Sequence, residues 1–327
     1  MRTLGLAVAL MLCAVLGLAL TGTPALADAL TGAVWTGQGD GYKWSDMLNW
    51  QVGGVFDATH LDPRLATTKD LTLPNTASTT DTTVDIDLTA AGWGNMGARD
   101  INLGTTSILR IPAGGYLDGD RTSNPAGSVI YITGGGKFGA DIRPPNDGPL
   151  HPGTINGLVE ISGASSWDTA RWTYTSDASL HIIGSAPTKV FTTDLMSWSP
   201  NGAIARLSFT LDAGGVRPFT FNNYSASGTP TSGSVTVAVD GIAAYIAGPG
   251  NVGDIVPLLY DASGLPCLHE TWFPADGTLV AGGTGKLVHV YDTGNFKGIS
   301  VEIMPEPATM ALMALGGIGL ILGRKRR

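Results

Sequence analysis

The chain has 327 residues, 27 acidic against 19 basic, and a formal net charge of −8. That acidic balance opposes binding to nucleic acid or to anionic lipid by general electrostatic attraction. Twenty-three of the acids are Asp and four are Glu, lysines number seven and glycines 46. Strong helix formers are therefore scarce while turn formers abound, which predicts an all-β chain of many strands and turns.

The N-terminus reads as an export signal. Arg2 supplies the positive start, residues 4–20 an apolar stretch, and Ala25-Leu26-Ala27 a small-residue cleavage site before Asp28. Cys13 follows Leu12, a bulky residue, so lipidation is not expected. Once residues 1–27 and the last 24 are set aside, Cys267 is the one cysteine left. No intrachain disulfide can form, and stability must come from packing and backbone pairing.

Residues 31–50 carry Trp35, Trp44 and Trp50 between glycines and turn formers. Two readings stand side by side. Aromatic plates could close the open end of a β-structure, with Asp46 and Asn49 bonding their own turn, or the three rings could form a platform for sugars. The segment resembles the opening of secreted β-rich proteins of the autotransporter-passenger type.

From Val84 onward short alternating runs recur: Val84 to Leu88, Arg99 to Leu103, Ile108 to Ile111, Tyr116-Leu117, Ser128 to Ile132, Leu158 to Ile161 and Leu180 to Ile183. Several end in a similar glycine step, at Gly134, Gly163 and Gly184, 29 and 21 residues apart. This loose period suits stacked coils, so residues 28–200 are predicted to be a parallel β-helix or solenoid-like body, with a jelly roll as the rival. Beyond a turn-rich junction at residues 196–202 the runs lengthen, and residues 201–303 are predicted to be a β-sandwich-like part or further coils. The best helical segment outside the termini, residues 242–247, is too short to stand alone.

Chemistry-bearing residues are sparse. None of the five histidines forms a helical i, i+4 metal pair, and Cys267 with His269 lacks the further ligands that zinc requires. There is no Gly-x-Ser-x-Gly elbow, and Glu160, Glu270 and Glu302 are the only glutamates of the body. Neither an enzyme nor a cofactor is expected. Calcium could bind where aspartates pair, at Asp85 with Asp87 or Asp118 with Asp120.

The last 24 residues are the most informative. Pro305, Glu306 and Pro307 form an extended, helix-incompatible stretch. Residues 308–323 carry no charge and are predicted to form one transmembrane helix of about 24 Å, short of the roughly 30 Å hydrocarbon core by an amount that snorkelling arginines and local thinning cover. Arg324, Lys325, Arg326 and Arg327 then act as a cytoplasmic anchor, leaving everything before them outside.

This three-part tail, residues 304–327, resembles the PEP-CTERM sorting signal of Gram-negative bacteria. The resemblance implies transient anchoring in the inner membrane, recognition by an exosortase-type transpeptidase near Pro305-Glu306-Pro307, and transfer to the cell surface or extracellular matrix. It further implies a structural role near exopolysaccharide or biofilm. The rivals are a carbohydrate-binding module and a polysaccharide lyase or hydrolase.

Overall fold

A computed structural model describes residues 33–39, 47–52, 70–73, 83–85, 96–113, 116–140, 153–174, 178–198, 205–222, 235–262 and 268–306. The described chain opens with β1 (Ala33–Trp35) and β2 (Trp50–Val52), an antiparallel pair. It then alternates between two sheets. The first sheet takes β3 (Asp70–Leu73) and the second β4 (Thr83–Asp85), followed by β5 (Met96–Leu103) and β6 (Ile108–Ile111) in the same order. Next come β7 (Tyr116–Asn124) in the first sheet and β8 (Val129–Ile132) in the second. Two short first-sheet strands, β9 (Lys137–Ala140) and β10 (Gly153–Ile155), precede β11 (Leu158–Ser162). The alternation resumes with β12 (Ser166–Tyr174) and β13 (Ser179–Ile183), β14 (Lys189–Trp198) and β15 (Ala205–Thr210), and β16 (Phe219–Phe221) and β17 (Val235–Asp240). Neighbouring strands from β3 to β18 are parallel in both sheets.

Register across the second sheet explains the alternation seen in its strands. Ile111, Ile132, Ile161, Ile182, Phe209 and Val239 are successive partners, and all six are buried. A second column, Leu109, Ile130, Val159, Leu180 and Leu207, runs beside it and is equally buried. Because side chains alternate along a strand, one parallel register puts every second residue of each coil into the same core. The first sheet supplies the opposing wall, where Trp167 stacks on Phe138 at a centroid distance of 4.7 Å.

The corners follow the glycine steps. Gly134, Gly163 and Gly184 all have left-handed backbone, with φ of 62°, 63° and 74°. At Gly163 a Cβ would also come within 3.1 Å of the Gly134 amide nitrogen in the coil below. The Gly134 and Gly163 corners therefore stack backbone on backbone, an approach that favours a residue without a side chain.

For residues 201–303, expected to be a β-sandwich-like part or further coils, the described strands up to β17 continue the coils rather than start a sandwich. β15 pairs with β13, β16 with β14, and β17 with β15, all parallel, so the same two sheets run on through this region. Strand length alone carried that expectation, and length does not encode the partner. Antiparallel pairing enters only at the end. After the helix α1 (Ile242–Ala247), β18 (Ile255–Asp261) rejoins the first sheet, and β19 (Leu279–Val280), β20 (Gly285–Asp292) and β21 (Asn295–Ile303) extend it as a meander. The turn at Ala281–Gly283 lies against β17, the last strand of the second sheet. An otherwise open edge is thus covered.

α1 forms although six residues cannot sustain a helix in isolation. Its N-cap Gly241 makes no side-chain cap. Ile242 buried in the core and the Tyr245 hydroxyl donating to Asp254 Oδ2 at 3.1 Å hold it instead. At the other end Trp35 is buried at 3% exposure. Asn49 bonds across to the loop after β1: its carbonyl accepts from Thr36 N–H at 2.6 Å and its Oδ1 from Gly39 N–H at 2.8 Å, tying that loop to the start of β2, while Asp46 lies outside the described residues.

Candidate functional site

The body ends, and the processing motif begins, within three residues. β21 is held between β18 and β20 along its length. At its C-terminal end Ile303 N–H donates to Asp254 O at 2.9 Å, and Met304 N–H donates to Thr284 O at 2.8 Å. Gly253 N–H closes the same point by donating to Ile303 O at 2.8 Å. Pro305 follows at once, half-buried, and Glu306 is exposed. Proline has no N–H to offer a neighbouring strand, so the ladder stops where the first proline stands. Glu306 therefore sits on a backbone that leaves the sheet, a short segment an enzyme can grip without opening the fold.

Pro307, the uncharged residues 308–323 and the cations Arg324, Lys325, Arg326 and Arg327 lie outside the described residues, as do Ala25 and Ala27 of the export signal. Among the described residues no helix is long and apolar enough to cross a membrane.

The tryptophan platform separates into its parts. Trp35 is in the core and presents no open face for a sugar ring. Trp44 and the side chain of Trp50 lie outside the described residues, as do Cys267, Asp87 and the side chains of Asp85, Asp118 and Asp120. Asp118 and Asp120 fall within β7 rather than in a turn. No cluster of three potential metal ligands occurs among the described residues.

Two groupings emerge that sequence inspection did not assemble. The first lies on the outer face of the second sheet. Arg110, Tyr131, Glu160, His181 and Ser208 are successive partners in register. The Arg110 guanidinium lies 4.7 Å from the centre of the Tyr131 ring. Glu160 Oε2 lies 3.1 Å from His181 Nδ1, and His181 Nε2 lies 2.9 Å from Thr210 Oγ1. Carboxylate, imidazole and hydroxyl in line is also the connectivity of a nucleophile relay. Acyl transfer further needs donors aimed at a developing oxyanion. Here the backbone amides of β13 and β15 point along the sheet into parallel ladders rather than out from this face. The row is best understood as a side-chain ladder between coils.

The second grouping surrounds β20. Tyr291 is 51% exposed, and its hydroxyl donates to Glu270 Oε2 at 2.5 Å. That bond and some burial raise the tyrosine pKa above its ordinary value. His289 and Phe296 meet the Tyr291 ring at 6.4 and 5.9 Å, and His289 Nε2 lies 2.9 Å from Pro274 O. The His269 ring packs on Trp272 at 5.1 Å.

Comparison with known families identifies the tail. Residues 305–327 match the PEP-CTERM protein-sorting motif. No curated protein and no solved structure matches the chain. The chain therefore carries the signal of an exported protein that exosortase sorts, processed at the membrane and bound for the cell surface. The resemblance of residues 31–50 to autotransporter passengers gains no support.

Proposed function

We propose that this is a structural protein of the cell surface or extracellular matrix, a rigid acidic β-solenoid that exosortase cuts from its own membrane anchor. The observation that carries this reading is the junction at Met304. The last hydrogen bond of the sheet and the first proline of the motif are adjacent, so cleavage at Pro305 to Pro307 leaves the described backbone ladder of β21 intact. Parallel coils that share two continuous aliphatic columns make a stiff rod, and an acidic surface keeps it soluble once released. On this reading residues 308–323 are a temporary membrane helix, the four terminal cations hold it in place, and the protein works without catalysis or cofactor. Its partners are the transpeptidase and the exopolysaccharide of the matrix or biofilm. Deleting the exosortase of the native cell tests the proposal: the protein should then stay in the membrane fraction. Release to the surface in that strain would overturn it.

Carbohydrate binding is a second reading, favoured by Tyr291 rather than by Trp35. An exposed aromatic ring beside a carboxylate and an imidazole offers a stacking face with polar groups at its rim. Retention on the native polysaccharide that Tyr291→Ala abolishes would support it. Equal retention of both proteins would remove it.

A further inference from the structure

The surface from which the tail departs is apolar. Leu279, Lys286, Glu302 and Ile255 are partners in one row across β19, β20, β21 and β18. Residues directly opposite in a sheet project from the same face. Leu279 is 63% exposed and Ile255 is 60% exposed, the two most exposed large apolar side chains among the described residues. Between them Lys286 Nζ and Glu302 Oε2 form an ion pair at 2.5 Å, so the row carries no net charge. Val252, 51% exposed, precedes Gly253, whose N–H is bonded to Ile303 O. Ile255 and Leu279 thus share a face with Glu302 near the end of β21, and Val252 stands next to the residue that bonds Ile303. Scattered exposed aliphatics are ordinary on a protein surface, but a group gathered at one functional point is not.

Tether length decides what covers them. Between Met304 and the uncharged residues 308–323 stand only Pro305, Glu306 and Pro307. Three extended residues reach about 10 Å. A body held that closely cannot keep this face away from the bilayer that holds its tail.

We propose that Val252, Ile255 and Leu279 form a lipid-docking collar, seated in the boundary between headgroups and acyl chains while the tail is uncut. The inference rests on the reading of residues 308–323 as a membrane helix. Burying aliphatic side chains around a neutral ion pair costs no unpaired charge and gains apolar contact. Docking fixes the body's orientation and holds Pro305 to Pro307 at headgroup level, where a membrane-embedded transpeptidase meets them. After cleavage no tether remains, and three side chains alone are too small an anchor to retain the body.

Site-directed fluorescence tests this in the signal-cleaved, tail-bearing chain carrying Cys267→Ser, placed in phosphatidylethanolamine–phosphatidylglycerol vesicles. Single cysteines at Ile255, Leu279, Ala126 and Ala314 take the fluorophore, and nitroxide lipids act as quenchers at shallow or deep positions. The collar predicts that Ile255→Cys and Leu279→Cys lose more than half their emission to the shallow quencher. Ala126→Cys, in an exposed turn far along the body, should lose almost none, and Ala314→Cys should respond to the deep quencher. If Ala314→Cys is quenched while the collar labels behave like Ala126→Cys, docking is refuted and anchoring stands. If Ala314→Cys is not quenched, the membrane-helix reading fails and the collar falls with it. A Val252→Ser, Ile255→Ser, Leu279→Ser variant labelled at Asn251→Cys, an exposed position beside Val252, gives a second readout: its shallow quenching should be weaker than that of Asn251→Cys alone, and equal quenching contradicts the collar.

Discussion

Val159 and Val239 allow one side-chain deletion to be made at two places in the same stack. Val159 is fully buried, with Ile130 on one side and Leu180 on the other in register. Val239 is 2% exposed and lies on β17, the last strand of its sheet, with Phe209 as partner on one side only. Val→Ala at either position forfeits about 1.6 kcal/mol of transfer free energy, at ~0.8 kcal/mol for each of two carbons. At Val159 the coils above and below are locked by continuous ladders and cannot close the gap. If about 50 Å³ stays open, the cavity adds about 1.2 kcal/mol at ~24 cal/mol per Å³. Val159→Ala should therefore cost about 3 kcal/mol. At Val239 the neighbouring Ala281–Gly283 turn can settle inward, and the cost should stay near about 2 kcal/mol. Urea unfolding of the tail-cleaved protein, with a shared m-value, measures both. Val159→Ala costing no more than Val239→Ala would refute the argument that interior coils are held rigidly from both sides.

Three further outcomes follow from single contacts. Gly163→Ala forces a side chain into left-handed backbone and against Gly134, so it should lower stability by about 1–3 kcal/mol in the same unfolding assay. Lys297 and Asp261 form a buried ion pair at 3.7 Å, so Lys297→Met, which removes the cation beside a buried carboxylate, should cost about 3–5 kcal/mol while Lys297→Met with Asp261→Asn recovers much of it. Asp212 is pushed up by burial, but hydrogen bonds from Ser185 and from Gly214 N–H outweigh this and hold its pKa below the ordinary carboxylate value. A carboxylate depressed on folding stabilises above its unfolded value and loses that contribution as pH falls through the folded one. Denaturant midpoints should thus separate wild type from Asp212→Asn near neutrality and converge as pH falls through the lowered folded-state value; a gap that persists undiminished in acid contradicts this.

Much of the second sheet is legible in the sequence because β6, β8, β11, β13 and β15 are each half buried. Ile108–Ile111, Leu158–Ser162 and Ala205–Thr210 alternate strictly between buried and partly or fully exposed positions. Strands of the first sheet are harder to see. Ser166–Tyr174 and Lys189–Trp198 mix Trp, Thr, Asp, Arg and Lys, and no apolar alternation announces them. The Glu160–His181 contact was within reach, since its separation of 21 residues equals that between Gly163 and Gly184. Tyr131 and Glu160 share the 29-residue step of Gly134 and Gly163 in the same way. What hid the register is uneven coil length: β9 and β10 both fall between β8 and β11, and no fixed period survives such insertions. The sorting motif was legible, because prolines and charge order act locally. Its position against the last bonded residue of the sheet was not, since that depends on where β21 finds its partners.

The intact mass of the protein recovered from its native cell surface tests the sorting account most directly. A C-terminus at or next to Pro305, Glu306 or Pro307 is the predicted result, with a body as stable as that of the uncut chain. A mass extending to Arg327 would contradict it, leaving a protein permanently fixed in the membrane.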